Sequence, residues 1–134
     1  MRRSLLLLML AVLLTSCDGS SPTDPEDRRP RGRLAGAVKI GPNCPNENPD
    51  RPCPTSSTAY AQRKVLVYDE ARTRILFTVD IDSAGVYLID LLPGRYTVDI
   101  RGVGVDRSAD VPKVVEITPF TVTRLDIAID TGLR

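Results

Sequence analysis

The chain has 134 residues, enough for one small domain, and its 18 basic and 17 acidic side chains give none of the basic excess that marks nucleic-acid binding. It contains no histidine, which excludes catalytic triads with a histidine base, histidine-ligated metal sites and histidine pH switches.

The N-terminus has the pattern of a bacterial export signal. A basic start, Met1 to Arg3, precedes an apolar run from Leu5 to Leu14. This run is too short for a membrane-crossing helix, which needs roughly 20 residues, and is typical of a signal peptide. The residues Leu-Thr-Ser-Cys that follow, ending at Cys17, resemble the bacterial lipobox. That resemblance implies cleavage after residue 16 and attachment of lipid, palmitate included, to Cys17. The alternative is an ordinary signal peptide followed by a chance cysteine.

Residues 18–33 predict a disordered tether. They contain three prolines, two glycines, mixed charges and no large apolar side chain, so they cannot bury enough surface to offset the entropy of ordering. Such a segment has an r.m.s. reach of roughly 20–25 Å. Its arginines either touch anionic lipid headgroups or simply keep the linker solvated; they are Arg28, Arg29, Arg31 and Arg33. The chain therefore divides into a signal peptide (1–16), a lipidated cysteine with tether (17–33) and one domain (34–134).

A first strand and a cysteine-bearing loop open the domain. Alternating apolar residues from Leu34 to Ile40 predict a strand. Five prolines between residues 41 and 54 then exclude a helix or a central strand. Cys44 and Cys53 are the cysteines that remain once Cys17 carries lipid, and in an exported protein two such cysteines most simply form a disulfide. The loop is either a staple for a small domain or a pre-organised binding site, and the two interpretations are compatible.

The rest of the chain reads as short strands separated by turns. The run Lys64–Asp69 predicts a strand buried on both faces, and residues 70–73 a hairpin turn into the next strand. Residues 75–100 then predict an antiparallel meander of three strands joined at Asp82–Gly85 and Pro93–Gly94, with Val86–Leu91 as the middle strand. Residues 111–118 predict an edge strand, because Pro112 interrupts it, and residues 123–129 a last strand.

Together these elements predict an all-β, antiparallel sandwich of seven strands, with no helix after the signal peptide. The inward-facing residues are expected to include Leu34, Val38, Val65, Val67, Phe77, Val79, Val86, Leu88, Tyr96, Val98, Ile117, Leu125 and Ile127.

The stretch from Asp80 to Val98 carries a family resemblance. Its pattern D-x-D-x-x-G-x-Y-x-I-x-L-L-P-G-x-Y-x-V resembles the signature of carboxypeptidase regulatory-like domains, which are transthyretin-like β-sandwiches. The loop G-P-x-C-P…P-C-P and the ending D-T-G-L-R resemble a lipoprotein-like subset of that family. The resemblance implies a fold and a cell-envelope location. It assigns no activity, because function resides in particular sites rather than in a fold.

No group of residues in the sequence signals catalysis, a metal or a cofactor. The pair Asp80 and Asp82 lacks the further oxygen ligands of a calcium-binding EF-hand, so a turn is the better interpretation. A purine-pathway hydrolase shares the transthyretin-like fold, but its histidines and its Tyr-Arg-Gly-Ser terminus are absent here. The aromatic side chains that could stack on sugars are expected to be buried or half-buried; they are Tyr60, Tyr68, Tyr87 and Phe120.

The sequence therefore predicts a non-enzymatic, exported lipoprotein, anchored to a membrane of the cell envelope through Cys17. Its sandwich would be a binding or structural module with a protein or glycan partner. One alternative is an inhibitor or immunity-type lipoprotein that docks its disulfide loop on an envelope enzyme. Another is a carbohydrate-binding module.

Overall fold

The computed structural model of the protein describes residues 28–133. The predicted signal peptide (1–16), the predicted lipidation site Cys17 and residues 18–27 of the predicted tether lie outside this range, as does Arg134. No helix within the described range is long and apolar enough to cross a membrane.

Two β-sheets pack face to face in the described part of the chain. Sheet 1 contains β1 (Gly32–Gly41), β4 (Val86–Leu91), β7 (Val122–Arg124) and β8 (Ile127–Asp130), and sheet 2 contains β3 (Ile75–Asp80), β2 (Lys64–Asp69), β5 (Gly94–Arg101) and β6 (Lys113–Ile117) in that order. One short helix, α1 (Ser57–Ala61), lies between β1 and β2. The predicted sandwich is therefore confirmed, as is the edge position of β6.

Strand β1 is the centre of sheet 1. It pairs antiparallel with β4 on one side and parallel with β7 and then β8 on the other. Gly36 allows the close approach on the second side, because a Cβ atom here would lie 1.8 Å from the Leu125 carbonyl oxygen. Where the main-chain ladder is interrupted, the Asp126 carboxylate accepts the Ala37 N–H at 2.8 Å.

The core lies between the two sheets and follows from alternation along the strands. Its most deeply buried side chains come from β1, β2, β4, β5, β6 and β8. At most 2% of the surface of each is exposed, and they include Leu34, Val65, Val67, Tyr87, Leu91, Val98, Ile117 and Ile127. Leu66 is buried too, which confirms that β2 is covered on both faces.

The predicted three-strand meander is wrong. Strand β3 pairs with β2, β4 pairs with β1, and β5 pairs with β2 and β6, so the chain changes sheet at each of the two turns. After the first turn, the Gly85 carbonyl accepts the Val38 N–H at 2.7 Å, which leads the chain onto β1. Turn residues mark where a chain reverses, but they do not decide whether the next strand joins the same sheet.

Three further details differ from the prediction. The sandwich is mixed rather than purely antiparallel, because β1 runs parallel to β7 and β8. The described chain has eight strands rather than seven, because the bond to Asp126 divides the predicted last strand. A helix was not expected, but Ser56 begins α1 as its N-cap, with its hydroxyl accepting the Ala59 N–H at 3.1 Å.

The predicted inward faces are partly wrong. On β4, Val86 and Leu88 are exposed, and the alternate residues Tyr87 and Leu91 are buried instead. Alternation gives the period of a strand but not which set faces the core, and both sets of β4 contain apolar residues. Phe77 lies in register with buried Val67, but β3 is an edge strand and the ring stays 41% exposed. Tyr96 is half-buried.

Candidate functional site

The loop between β1 and α1 is closed by a disulfide and braced from within. Cys44 and Cys53 are bonded, with their Cα atoms 6.1 Å apart, which confirms the predicted pairing. The Asn43 side-chain amide reaches three acceptors: the carbonyls of Ile40 (2.9 Å) and Cys53 (3.2 Å) and the Thr55 hydroxyl (3.0 Å). One side chain therefore joins the end of β1 to both arms of the loop.

Glu47 forms the second brace of this loop. Its carboxylate accepts the Asn43 N–H at 2.5 Å and the Cys53 N–H at 3.3 Å. Ligand atoms of Cys44, Glu47 and Cys53 lie within 4.8 Å of one another, but both sulfur atoms are already joined in the disulfide. The cluster therefore acts as a brace, and the tip of the loop, residues 48–52, remains exposed.

The braced loop and the start of the domain lie at opposite ends of β1. The loop leaves β1 at Gly41, whose carbonyl accepts the Thr131 N–H at 3.1 Å. The other end begins at Arg31, whose carbonyl accepts the Phe120 N–H at 2.9 Å. Since β1 has ten residues and a strand rises roughly 3.3 Å per residue, about 30 Å separate the two ends.

The motif from Asp80 to Val98 is explained by the fold itself. The Asp82 carboxylate accepts the N–H groups of Ala84 (2.9 Å) and Val86 (2.8 Å), which confirms the turn interpretation. Gly85 has a φ of +80° and contacts the Tyr60 ring, so a side chain would not fit there. The other motif residues serve the core or the second turn: Tyr87 donates to the Leu125 carbonyl (2.6 Å), and Tyr96 donates to the Leu92 carbonyl (2.9 Å).

A groove of about 580 Å³ runs along β8 and contains two carboxylates. Asp110 accepts the Ala128 N–H at 2.7 Å, and Asp130 accepts the Gly132 N–H at 2.9 Å. Both acids therefore bind main-chain donors, Asp110 one in β8 itself and Asp130 one in the segment that follows β8. In addition, Arg107 exchanges two main-chain hydrogen bonds with Asp130, which covers part of the β8 edge.

A buried ion pair holds the loop after β5. The Arg63 guanidinium donates to both oxygens of Asp106, from Nε at 2.6 Å and from Nη2 at 3.0 Å, and also to the Ala59 carbonyl at 2.8 Å. Burial alone would raise the pKa of Asp106, but the hydrogen bonds from Arg63 and the Val103 N–H outweigh burial and hold the pKa below its ordinary value. Sequence patterns did not indicate this pair, since its members are 43 residues apart.

The aromatic side chains are placed largely as expected, with one exception. Tyr87 is buried, with a pKa raised by burial, and Tyr60, Tyr68 and Tyr96 are half-buried. Phe120 was also expected to be buried or half-buried, but it is 89% exposed. It follows Pro119 in a turn where the Thr121 N–H donates to the Thr118 carbonyl, and its φ of +58° holds it out of both sheets.

Comparisons with known proteins support the fold alone. No family model matches the sequence, and no curated protein matches it. Among solved structures, the minor pilin GBS52 of Streptococcus agalactiae is similar, with a TM-score of 0.51 and 13% identity over 76% of this chain and 45% of that one. Two DUF3823 family proteins also match. The protein from Parabacteroides merdae has a TM-score of 0.45 and 17% identity over 75% of this chain and 46% of that one. The protein from Bacteroides ovatus has a TM-score of 0.46 and 14% identity over 73% of this chain and 44% of that one. The chain spans less than half the length of each.

Proposed function

We propose that this protein is an exported lipoprotein, held to a membrane of the cell envelope by lipid on Cys17. Its sandwich acts as a non-enzymatic, carboxypeptidase regulatory-like binding module. The braced loop, residues 43–54, is the part that contacts an envelope protein. If that protein is an enzyme, the lipoprotein acts as its inhibitor or immunity partner.

The observation that carries the proposal is the placement of the loop relative to the chain's entry into the domain. An anchor at Cys17 precedes Arg28 by eleven residues, which span at most about 40 Å. The domain is then held from the end where β1 begins. The loop leaves the other end of β1, about 30 Å farther along the strand. A tethered domain can thus place the loop about 30 Å farther from the lipid surface than the end that is held.

The internal construction of the loop also supports a binding role. A loop that is already rigid loses little conformational entropy when it binds. Asn43, Glu47 and the disulfide fix the arms of this loop, and Asn48 fixes its tip by accepting the N–H groups of Asp50 (3.0 Å) and Arg51 (2.9 Å). The side chains of Asp50 and Arg51 remain exposed on this fixed backbone. They offer one charge of each sign to a partner surface.

The hydrogen bonds that the aspartates accept support the proposal that the domain is not an enzyme. Catalytic carboxylates need access to a substrate and often a perturbed pKa in a cleft. Many aspartates of the described chain instead bind main-chain N–H groups in turns and at strand ends: Asp69, Asp82, Asp106, Asp110, Asp126 and Asp130. Their positions are explained by the backbone that they hold.

The test compares two double variants of the full-length, tagged protein after cross-linking in cells. Asp50→Ala/Arg51→Ala removes both charges from the loop tip and leaves the backbone brace in place. Lys113→Ala/Glu116→Ala removes the same charges from exposed positions on β6 and is the matched control. We expect one envelope protein to be recovered with the wild type and the control but lost with the loop variant.

Equal recovery with both variants would contradict a binding role for the loop. The lipid is read separately by mass spectrometry of the purified protein. A chain lacking acyl mass on Cys17 would contradict the anchor, whatever the loop binds.

A further inference from the structure

Both outer faces of the sandwich carry a cross-strand ion pair, Lys64 with Asp80 on sheet 2 and Arg33 with Asp90 on sheet 1. The outer face of sheet 1 also exposes apolar side chains, with Leu88 at 55% and Val122 at 62%. Exposed apolar groups that lie together mark contact surfaces more often than paired charges do.

The most exposed of the large apolar side chains in the described part of the chain lies where β1 begins. Phe120 is 89% exposed, and its N–H donates to the Arg31 carbonyl. The neighbouring Arg33 lies in register with Val122 on the outer face of sheet 1, and its N–H donates to the Thr121 carbonyl at 2.9 Å. Arg31, Arg33, Phe120 and Val122 are all exposed and lie on neighbouring stretches of backbone at this end of β1, and we name them the anchor-end patch.

The conformation of Phe120 is costly for the isolated fold. An L-residue with a bulky side chain rarely adopts a positive φ, and glycine or asparagine would be easier at +58°. The ring gains almost no burial in return. A residue that is strained and exposed at once is better explained by a contact outside the domain than by folding.

The charges around Phe120 favour an anionic partner. Four arginines lie within residues 28–33, and the carboxylate that pairs within the patch is Asp90, bonded to Arg33 at 2.7 and 3.0 Å. Arg31 also interacts electrostatically with Asp90. An apolar ring beside arginines matches a bilayer interface, where rings enter the acyl boundary and guanidinium groups meet phosphates.

We propose that the anchor-end patch lies on the bilayer surface, with the Phe120 ring inserted at the interface and the arginines on anionic headgroups. This inference rests on the proposed anchor at Cys17, because a linker of eleven residues keeps this end of the domain close to the lipid. The contact orients the sandwich and turns the braced loop outward. The lipid anchor on Cys17 and the patch then act as two membrane contacts on one chain.

The test uses the absence of tryptophan from the chain. Phe120→Trp places a unique fluorophore in the patch, and Val105→Trp is the matched control. Val105 is an apolar side chain with 67% exposure, and it contacts Gly132 near the end of β8, at the opposite end of the sandwich. The full-length chains are reconstituted into vesicles of phosphatidylethanolamine and phosphatidylglycerol that contain brominated lipid, and into matched vesicles of phosphatidylcholine.

We expect the emission of F120W to shift to shorter wavelength and to be quenched by brominated lipid, whereas V105W is unchanged. Quenching of F120W should be weaker in phosphatidylcholine, because each arginine near an anionic surface changes partitioning about fivefold. Equal quenching of both positions, or quenching of neither, would overturn the inference. A blue shift that depends on protein concentration and not on brominated lipid would also overturn it, since a second copy would then cover the ring.

Mass spectrometry of the same preparation measures the acyl mass on Cys17, so the anchor is tested independently of the quenching. If Cys17 carries acyl chains and F120W is not quenched, the proposed contact of the patch with the bilayer is wrong, whereas the proposed lipid anchor is supported. If Cys17 carries none, the proposed lipid anchor is wrong. Quenching of F120W when the vesicles are added then still shows whether the patch binds the bilayer. A second variant, Phe120→Asn, should keep the melting temperature of the wild type or raise it. A fall in melting temperature would indicate that the ring serves the fold instead.

Discussion

Replacing Arg63 by methionine is expected to destabilise the domain by about 3–5 kcal/mol at neutral pH, the cost of leaving one buried partner of an ion pair alone. The side chains of Arg63 and Asp106 are 8% and 5% exposed, so the remaining carboxylate is largely shielded from water. The substitution removes two bonds to Asp106 and one to the Ala59 carbonyl, and within residues 28–133 the Val103 N–H is the remaining donor to the acid.

The loss of stability caused by Arg63→Met should depend on pH. The lowered pKa of Asp106 stabilises the wild type above the unfolded value of about 3.9, and this contribution is lost as the pH falls through the folded pKa. Without Arg63, burial raises the pKa of Asp106, so the variant loses stability as the pH rises. The difference in free energy of unfolding between the two proteins should therefore shrink from about pH 7 to about pH 4.

Urea unfolding at both pH values measures this difference. Asp106→Asn in the Arg63→Met background is the control, because it removes the unpaired charge and keeps an acceptor for the Val103 N–H. We expect this second change to recover about 2 kcal/mol at neutral pH. A loss below about 1 kcal/mol for Arg63→Met, or a loss that does not change with pH, would refute the reasoning.

Two further substitutions test the brace and the packing of β1. Cys44→Ser with Cys53→Ser should lower the free energy of unfolding by about 2–3 kcal/mol, the chain-entropy value for a loop of this length. The circular dichroism of the sandwich should persist, whereas loss of the folded state would contradict a peripheral brace. Gly36→Ala should cost about 3 kcal/mol in urea, because its Cβ would lie 1.8 Å from the Leu125 carbonyl oxygen. Gly41→Ala, with no atom within 4 Å of a Cβ, is its control, and equal losses in the two variants would refute the packing argument.

Strand positions could be predicted from the sequence because they depend on local patterns. Lys64–Asp69 and Val86–Leu91 have the same bounds in the structure as in the sequence prediction, since alternating or continuous apolar runs end there at turn residues. The sheet to which β4 belongs depends on contacts with β1, about 50 residues earlier, and no local pattern records such pairing. The orientation of β4 was predictable in principle, because Asp90 shares the face of Val86 and Leu88 and must face solvent.

The candidate sites were predictable only in part. The pairing of Cys44 with Cys53 followed from counting cysteines in a chain that is predicted to be exported. The roles of Asn43 and Glu47 could not be predicted, because their hydrogen bonds exist only once the loop has closed. The exposure of Phe120 had a weak local signal, since Pro119 favours a turn at this point and connecting turns usually lie at the surface.

We propose that the braced loop, at the end of β1 opposite the predicted anchor, contacts a partner in the envelope. The most direct test of this claim is photo-cross-linking in cells from a p-benzoylphenylalanine at position 49 in the loop tip, compared with the same residue at position 113 on β6. We predict one dominant protein adduct from position 49 that is absent from position 113. The same adducts from both positions, or none from position 49, would contradict the claim.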